Sequence, residues 1–483
     1  MKKLVALVII VFLFAVAAPG IAGFAAKSIA EDRVVFFNSE YNDIGIIKLE
    51  NYQRNWFSSS AVISARFSDS YRDEFMAMIN ADLANEADII ELYKTALDGK
   101  LLFTVTLNHG PVMINDGMKM GLGSATTELD ASSGDLKRLR EYLGVPYLLR
   151  QYSQFGFSGA TNFYGDAPPF EVDQATNVIQ FSGFNYEGTA NIYNGKIIFE
   201  AGYDDLSFDA LSGKTTISGF SYTGNHQLIQ PAVWVGAGRL GLASVLAEDA
   251  LGEEVFSMEN LSLGMNVDVD SSGETVNMDA LYAIEKVTGA GDLDVDDVSF
   301  ALRFGRLDIA ALNDIVEMNQ SGRISDIPPE ELRAAVYQLA AASPTFEFGP
   351  LETKWQTESF SAGLNVSFNG ADLPEYESFS IADTALWLQI INGDAYIDMS
   401  DQMALILAAE YTANQLVSAI QTQGRTADPA EIEKVAREQA PVLLYNFIQQ
   451  GIFEKTDLGY SGSVTLRDGS IEINGNPMPL GPM

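Results

Sequence analysis

Cysteine is absent from the 483 residues, and histidine occurs only at His109 and His226. These scarcities exclude disulfides, thiol nucleophiles, thiolate-bound zinc and a multi-histidine metal centre. No metal or cofactor is expected. Positive charge is scarce too: 29 Lys and Arg stand against 65 Asp and Glu, a formal net charge of −36. A chain this acidic repels nucleic acid and anionic headgroups, so no nucleic-acid partner is expected. There is no G-x-S-x-G elbow for a nucleophilic serine. Gly236-Ala237-Gly238 is a fragment of a phosphate loop without its Lys-Ser/Thr. What remains is ample for a core, because 47% of residues are hydrophobic and 19% charged. At roughly 150 residues per domain the length suggests about three domains, or fewer if the β structure is elongated.

The one long uncharged run lies at the start. Lys2 and Lys3 precede residues 4–26, which carry no charge, and Glu31 and Asp32 follow. As a helix, 23 residues extend about 35 Å against a hydrocarbon core of roughly 30 Å. The flanking charges predict a single-pass signal-anchor over residues 1–27, with residues 28–483 outside the inner membrane in the periplasm. Cleavage after Ala15-Val16-Ala17 is the competing reading. The run continues through Ile21, Ala22, Phe24, Ala25 and Ala26, which favours retention. No later stretch reaches 18 uncharged apolar residues, so the remainder is expected to be soluble.

Beyond the anchor the recurring signal is period-2 alternation broken by short glycine turns. In Val464–Ile473 a turn at Asp468-Gly469 sets Leu466 opposite Ile471 and Val464 opposite Ile473. Asn392-Gly393 suggests a second hairpin, with Leu388, Ile390, Ala395, Ile397 and Met399 on one side. Asn194-Gly195, Ser272-Gly273 and Ser212-Gly213 are further turns, and Leu101, Phe103, Val105 and Leu107 alternate with Leu102, Thr104 and Thr106. Helices are expected over 69–97, from Asp135 to Tyr147, over 308–342 with a break at Ile327-Pro328-Pro329, and from Met403 to Ile420, which should be largely buried. Asp428 and Pro429 open a last helix, which Pro441 should kink. The predicted class is mainly β (α+β): an extended antiparallel meander or groove with helical insertions, closing on a helix pair and hairpin at about 400–475.

The chemical candidates are few. Asp268-Val269-Asp270-Ser271-Ser272-Gly273 imitates a calcium loop, but a hairpin pairing Val269 with Val276 and Val267 with Met278 explains it better. Asp292–Asp297 reads as a solvated strand edge. His109, in Asn108-His109-Gly110-Pro111, is read as part of a strand-ending turn rather than a general base, and His226 as a loop residue. Lys137, Arg138 and Arg140 form one exposed helical turn beside Asp135 and Glu141.

Three segments carry a resemblance: Asn51-Tyr52-Gln53-Arg54-Asn55-Trp56-Phe57-Ser58-Ser59, then Asn108-His109-Gly110-Pro111, then the glycine-rich run Leu458–Gly475. With the Met-Lys-Lys start and the length, the chain resembles the YdgA-like family of proteobacterial envelope proteins. That resemblance implies an inner-membrane-anchored periplasmic protein that self-associates, and it supplies no catalytic residue. Asn51, Tyr52, Arg54, Phe57, Ser58, His109, Gly110 and Pro111 are motif positions without an assigned role. AsmA-like envelope proteins, which shield lipid chains in a β-groove, are similar in architecture alone. The expected function is therefore non-enzymatic binding or scaffolding, with lipid or lipoprotein held in a β-groove. A carboxylate-dependent hydrolase is the alternative.

Overall fold

Alternation in the sequence becomes register in the computed structural model. It describes residues 31–478 apart from 32–33, 36, 40–41, 43, 55–57, 83–98, 110–111, 114–118, 175–176, 192, 231–232, 290–292, 321–328, 356–357 and 423–428. The expected anchor, residues 4–26, lies outside the described residues, as do Phe57, Gly110, Pro111 and Asp428. Contacts divide the chain into two units, 1–228 and 229–483. Both are antiparallel ladders with a few helices.

The first unit runs through β1 (Gly45–Arg54), β2 (Ser58–Phe67), α1 (Asp69–Asp82), β3 (Leu101–His109), the short ribbon β4 (Val112–Met113) and β5 (Lys119–Met120), and β6 (Gly123–Leu129). It continues with α2 (Gly134–Leu143), β7 (Arg150–Phe155), β8 (Ala160–Ala167), β9 (Phe170–Gln174), β10 (Asn177–Phe181), β11 (Phe184–Asn191), β12 (Lys196–Ala210) and β13 (Gly213–Gln230). The ladder order is β1-β2-β3-β6-β7-β8-β11-β12-β13. The β9–β10 hairpin lies along the far half of β12. Alternation in β3 buries Phe103, Val105 and Leu107 at 8%, 1% and 5% exposure, each contributing roughly 1.5–3 kcal/mol. Phe37 closes that face, packed with Ile47, Ile63, Val105 and Phe155. Beside it the Asn38 amide donates to the Ile47 carbonyl at 2.8 Å and accepts from its N–H at 2.9 Å, satisfying the β1 backbone there.

The second unit contains β14 (Val233–Asp249), β15 (Glu254–Val269), β16 (Thr275–Gly289), β17 (Leu293–Asp308), α3 (Ile309–Gln320), α4 (Pro329–Ala341), β18 (Thr345–Trp355) and β19 (Glu358–Phe368). Then come α5 (Thr384–Ile390), β20 (Ile391–Met399), α6 (Asp401–Thr422), α7 (Pro429–Gln449), β21 (Glu454–Lys455), β22 (Tyr460–Arg467), β23 (Ser470–Ile473) and β24 (Asn476–Met478). Strands pair in the order β14-β15-β16-β17-β18-β19-β20-β22-β23-β24, with β21 on the start of β22.

The Asp468-Gly469 and Ser272-Gly273 hairpins form in the expected register. Four expectations are corrected. Asn392 and Gly393 are not a turn: they pair with Ser367 and Val366 inside β20. Leu386 to Ile390 turn into helix instead, because the Asp383 carboxylate accepts from the N–H groups of Ala385 and Leu386 and caps it. From Leu293 on the acidic run is no edge, since Asp296 pairs with Lys286 on one side and Lys354 on the other, while Asp292 lies outside the described residues. Lys286 approaches Asp294 at 3.5 Å and Asp296 at 3.9 Å, which offsets the repulsion. His226 is no loop residue but stands opposite Ile197 within β13. Finally, α6 is only partly buried. Met403, Ala404, Ala408 and Thr412 face inward while Leu407 and Tyr411 are exposed. Asp401–Ile420 is long and apolar enough to cross a membrane by length and composition, but its inner stripe packs on Met399, Ile397 and Phe360.

Candidate functional site

Register in the second unit assembles what no single strand displays. Gly238, Met265, Ala280, Leu302, Phe348, Leu364, Ala395, Val464 and Ile473 stand side by side across nine strands. The neighbouring row on the same face is Gly236, Val267, Met278, Phe304, Phe346, Val366, Gly393, Leu466 and Ile471. Both rows are apolar throughout, and none of their residues is fully buried. Met265 is 39% and Val464 43% exposed. Ring pairs meet at the centre: Tyr282 and Phe300 are stacked 5.0 Å apart, while Phe304 and Phe346 at 5.0 Å and Phe300 and Phe348 at 5.7 Å are tilted.

Closed structure flanks these rows. On one side Val233, Val276 and Ile309 form a small core with Leu307 and Leu312. Toward the C-terminus α6 and α7 cover Met399, Phe360 and Trp355. Two residues beyond Ile284 the same face turns charged, through the cross-strand row Glu259, Lys286, Asp296 and Lys354. The opposite face of the sheet is mixed, with Leu281 54% exposed on it. Between the apolar rows the alternate row reads Asn266, Asp279, Arg303, Glu347, Asn365 and Asp394. From Asp279 to Asp394 it lines a cleft of about 580 Å3, in which Arg303 pairs with Asp279 at 3.7 Å and with Glu347.

The described motif positions fall in the first unit, on paired strands. Asn51, Tyr52 and Arg54 end β1, Ser58 begins β2, and Ser58 stands opposite Asn108, next to His109 at the end of β3. Tyr52 donates its hydroxyl to Ser59 at 3.0 Å. His109 pairs with Gly123, so the strand runs two residues further than the sequence suggested. The inner face here carries polar groups that are buried yet bonded. Tyr186 donates to Gln151 at 2.8 Å, and the Gln151 amide donates to Ser153 at 2.9 Å. Burial, with the Asp166 charge adding to it, drives the Tyr186 phenol far above its ordinary value.

Among the described residues the perturbed carboxylates share one direction of shift. Three of the described carboxylates are perturbed, Glu50, Glu254 and Asp270, and all are lowered, by Lys100, Thr288 and Ser272 respectively as first cause. A general acid needs the opposite shift. His226 is lowered by burial and shares a 3.0 Å hydrogen bond with Tyr222. Among the described residues no three His, Asp or Glu side chains are grouped to hold a metal ion. Sequence reasoning missed the apolar rows, because their members are scattered over some 240 positions and meet only once register is known.

A family model described as a bacterial protein of unknown function, DUF945, matches residues 1–481. No curated protein and no solved structure matches the chain.

Proposed function

We propose, from the premise that this chain belongs to the DUF945 family of bacterial proteins of unknown function, that it works by binding acyl chains along the apolar rows of its second unit. The observation that supports this is the pair of nine-strand rows, apolar throughout and nowhere fully buried. Half-buried apolar surface of that extent, exposed at Met265 and Val464, marks an interaction site rather than an ordinary solvated sheet face. At about 4.8 Å per strand the rows run about 38 Å, longer than one leaflet of a bilayer is thick. A peptide is a poor occupant, since its backbone N–H and C=O groups would meet no partner among these side chains. A hydrocarbon chain has no such need and gains about 0.8 kcal/mol per buried CH2. In this reading residues 4–26 tether the protein to the inner membrane, the bulk lies in the periplasm, and the acyl chain belongs to a lipid or a lipoprotein.

The test is native mass spectrometry of the full-length protein purified from its own membrane, with extraction and identification of any bound lipid. Wild type is expected to carry acyl chains. The double variant Leu302→Asp/Leu364→Asp is expected to keep a cooperative melting transition and lose them. Extracted phospholipid identifies one source, and a co-purifying acylated polypeptide the other. A lipid-free dimer, with two copies covering each other's apolar face, would replace the proposal with self-association. Equal lipid on wild type and the double variant would refute it.

A further inference from the structure

The other face of the first unit holds a second surface, independent of the acyl-chain reading. Tyr152 of β7 and Tyr164 of β8 stand directly opposite each other. Their ring centroids are 5.2 Å apart at a 35° tilt, and Tyr164 is 49% exposed. Thr126 and Glu187 continue their row on either side. Two residues along, Gln154 and Asn162 form the next row, which continues through the buried Ser124 to Asn108 and the motif residue Ser58. Paired aromatic rings therefore lie beside the half-buried Gln154 amide and the exposed Asn162 amide on one face.

Charge narrows the partner. A third row carries Glu128, Arg150 and Asp166. Arg150 is held by Glu128 at 3.0 Å and lies 3.8 Å over the Tyr147 ring. Asp166 accepts the Tyr147 hydroxyl. With its guanidinium so engaged and Glu187 nearby, the surface offers nothing to a phosphate or sulfate. It suits a neutral ligand with an apolar face and a rim of hydroxyls. A pyranose ring has that form: its C–H face stacks on tyrosine, and its hydroxyls exchange hydrogen bonds with Gln, Asn and Thr. We propose that the Tyr152–Tyr164 pair and the flanking Gln154 and Asn162 form a binding surface for an uncharged glycan strand.

The experiment is isothermal titration of the full-length protein in phosphatidylcholine nanodiscs with three probes: N-acetylated chitotetraose, maltotetraose and a heparin tetrasaccharide. At least one neutral probe is expected to saturate. Tyr164→Ala should weaken it about tenfold or more, whereas Tyr164→Phe, which keeps the ring, should stay within about threefold. If Tyr164→Ala fails to fold, Asn162→Ala decides, with a loss of about threefold or more expected. Three results would overturn the proposal: no saturation by either neutral probe, wild-type affinity in the folded alanine variant, or tighter binding of the heparin fragment. None depends on whether lipid co-purifies.

Discussion

Leu107 in β3 and Leu302 in β17 both point to the apolar side of an interior strand. Leu107 is 5% exposed and packed beneath Phe37, whereas Leu302 remains partly open. Their surroundings differ in an unexpected sense. The closed face of the first unit mixes Ser59, Thr127, Gln151 and Ser153 among its apolar residues, while the open rows of the second unit contain no polar side chain. A closed face accommodates polar groups when they bond to one another, as Tyr186, Gln151 and Ser153 do. On an open face polar residues would cost least, since water is at hand. Their absence there is what folding alone does not require and what a hydrocarbon partner would.

The largest expected effect tests that contrast with one substitution in each place. Phe103→Ala should destabilise by about 3–5 kcal/mol, the range for emptying a closed core position. Phe348→Ala, from a ring that is partly exposed beside Phe300, should cost less than about 2 kcal/mol. Urea unfolding of the two variants compares them. Equal losses would mean that the second face is covered in solution, and the contrast would fall.

A smaller effect sharpens the account of the closed face. Its Tyr186 phenol is held above the ordinary tyrosine range by burial, so the folded state favours the protonated form. The unfolded chain loses that proton near pH 10, so the stabilisation is full below about pH 10 and declines as pH rises toward the folded value. Tyr186→Phe removes this dependence. It should lower stability at neutral pH by about 1–3 kcal/mol, because Gln151 loses its donor. Between about pH 9 and 11 its melting temperature should then fall less steeply than that of wild type. Parallel curves would place the phenol in contact with water.

What the sequence made legible was local. Val464–Ile473 could be folded on paper because the turn residues and the period-2 pattern lie within ten positions, and Asp468 and Gly469 do adopt positive φ, 49° and 73°. Asn392-Gly393 carried the same turn signal, but Asp383 caps a helix upstream and β19 claims the pair for its ladder. Tertiary pairing there overrides a local preference. The apolar rows depend on nine registers at once, and the bulge between Phe348 and Leu351 shifts one of them, so no window of sequence contains them. Among the motif positions, the approach of Ser58 to Asn108 is likewise a fact of strand order alone.

The smallest effect concerns the turn joining β15 to β16, where the second unit has a calcium-like sequence. Asp270 Oδ1 accepts from Ser272 N at 3.1 Å, Ser272 Oγ at 2.6 Å and Gly273 N at 3.1 Å. Those bonds, the Ser272 hydroxyl first, hold the carboxyl below its usual value. The oxygen is already coordinated by its own turn, and strands rather than helices flank it. A carboxylate with a depressed folded pKa stabilises above the unfolded value, near pH 4, and its contribution disappears as pH falls through the folded one. Asp270→Ala should therefore lower the melting temperature slightly at pH 7, and the difference from wild type should vanish in acid. Millimolar calcium should shift both proteins by no more than matched ionic strength does. A saturable calcium stabilisation of wild type, lost in Asp270→Ala, would make the loop a metal site instead of a hairpin turn.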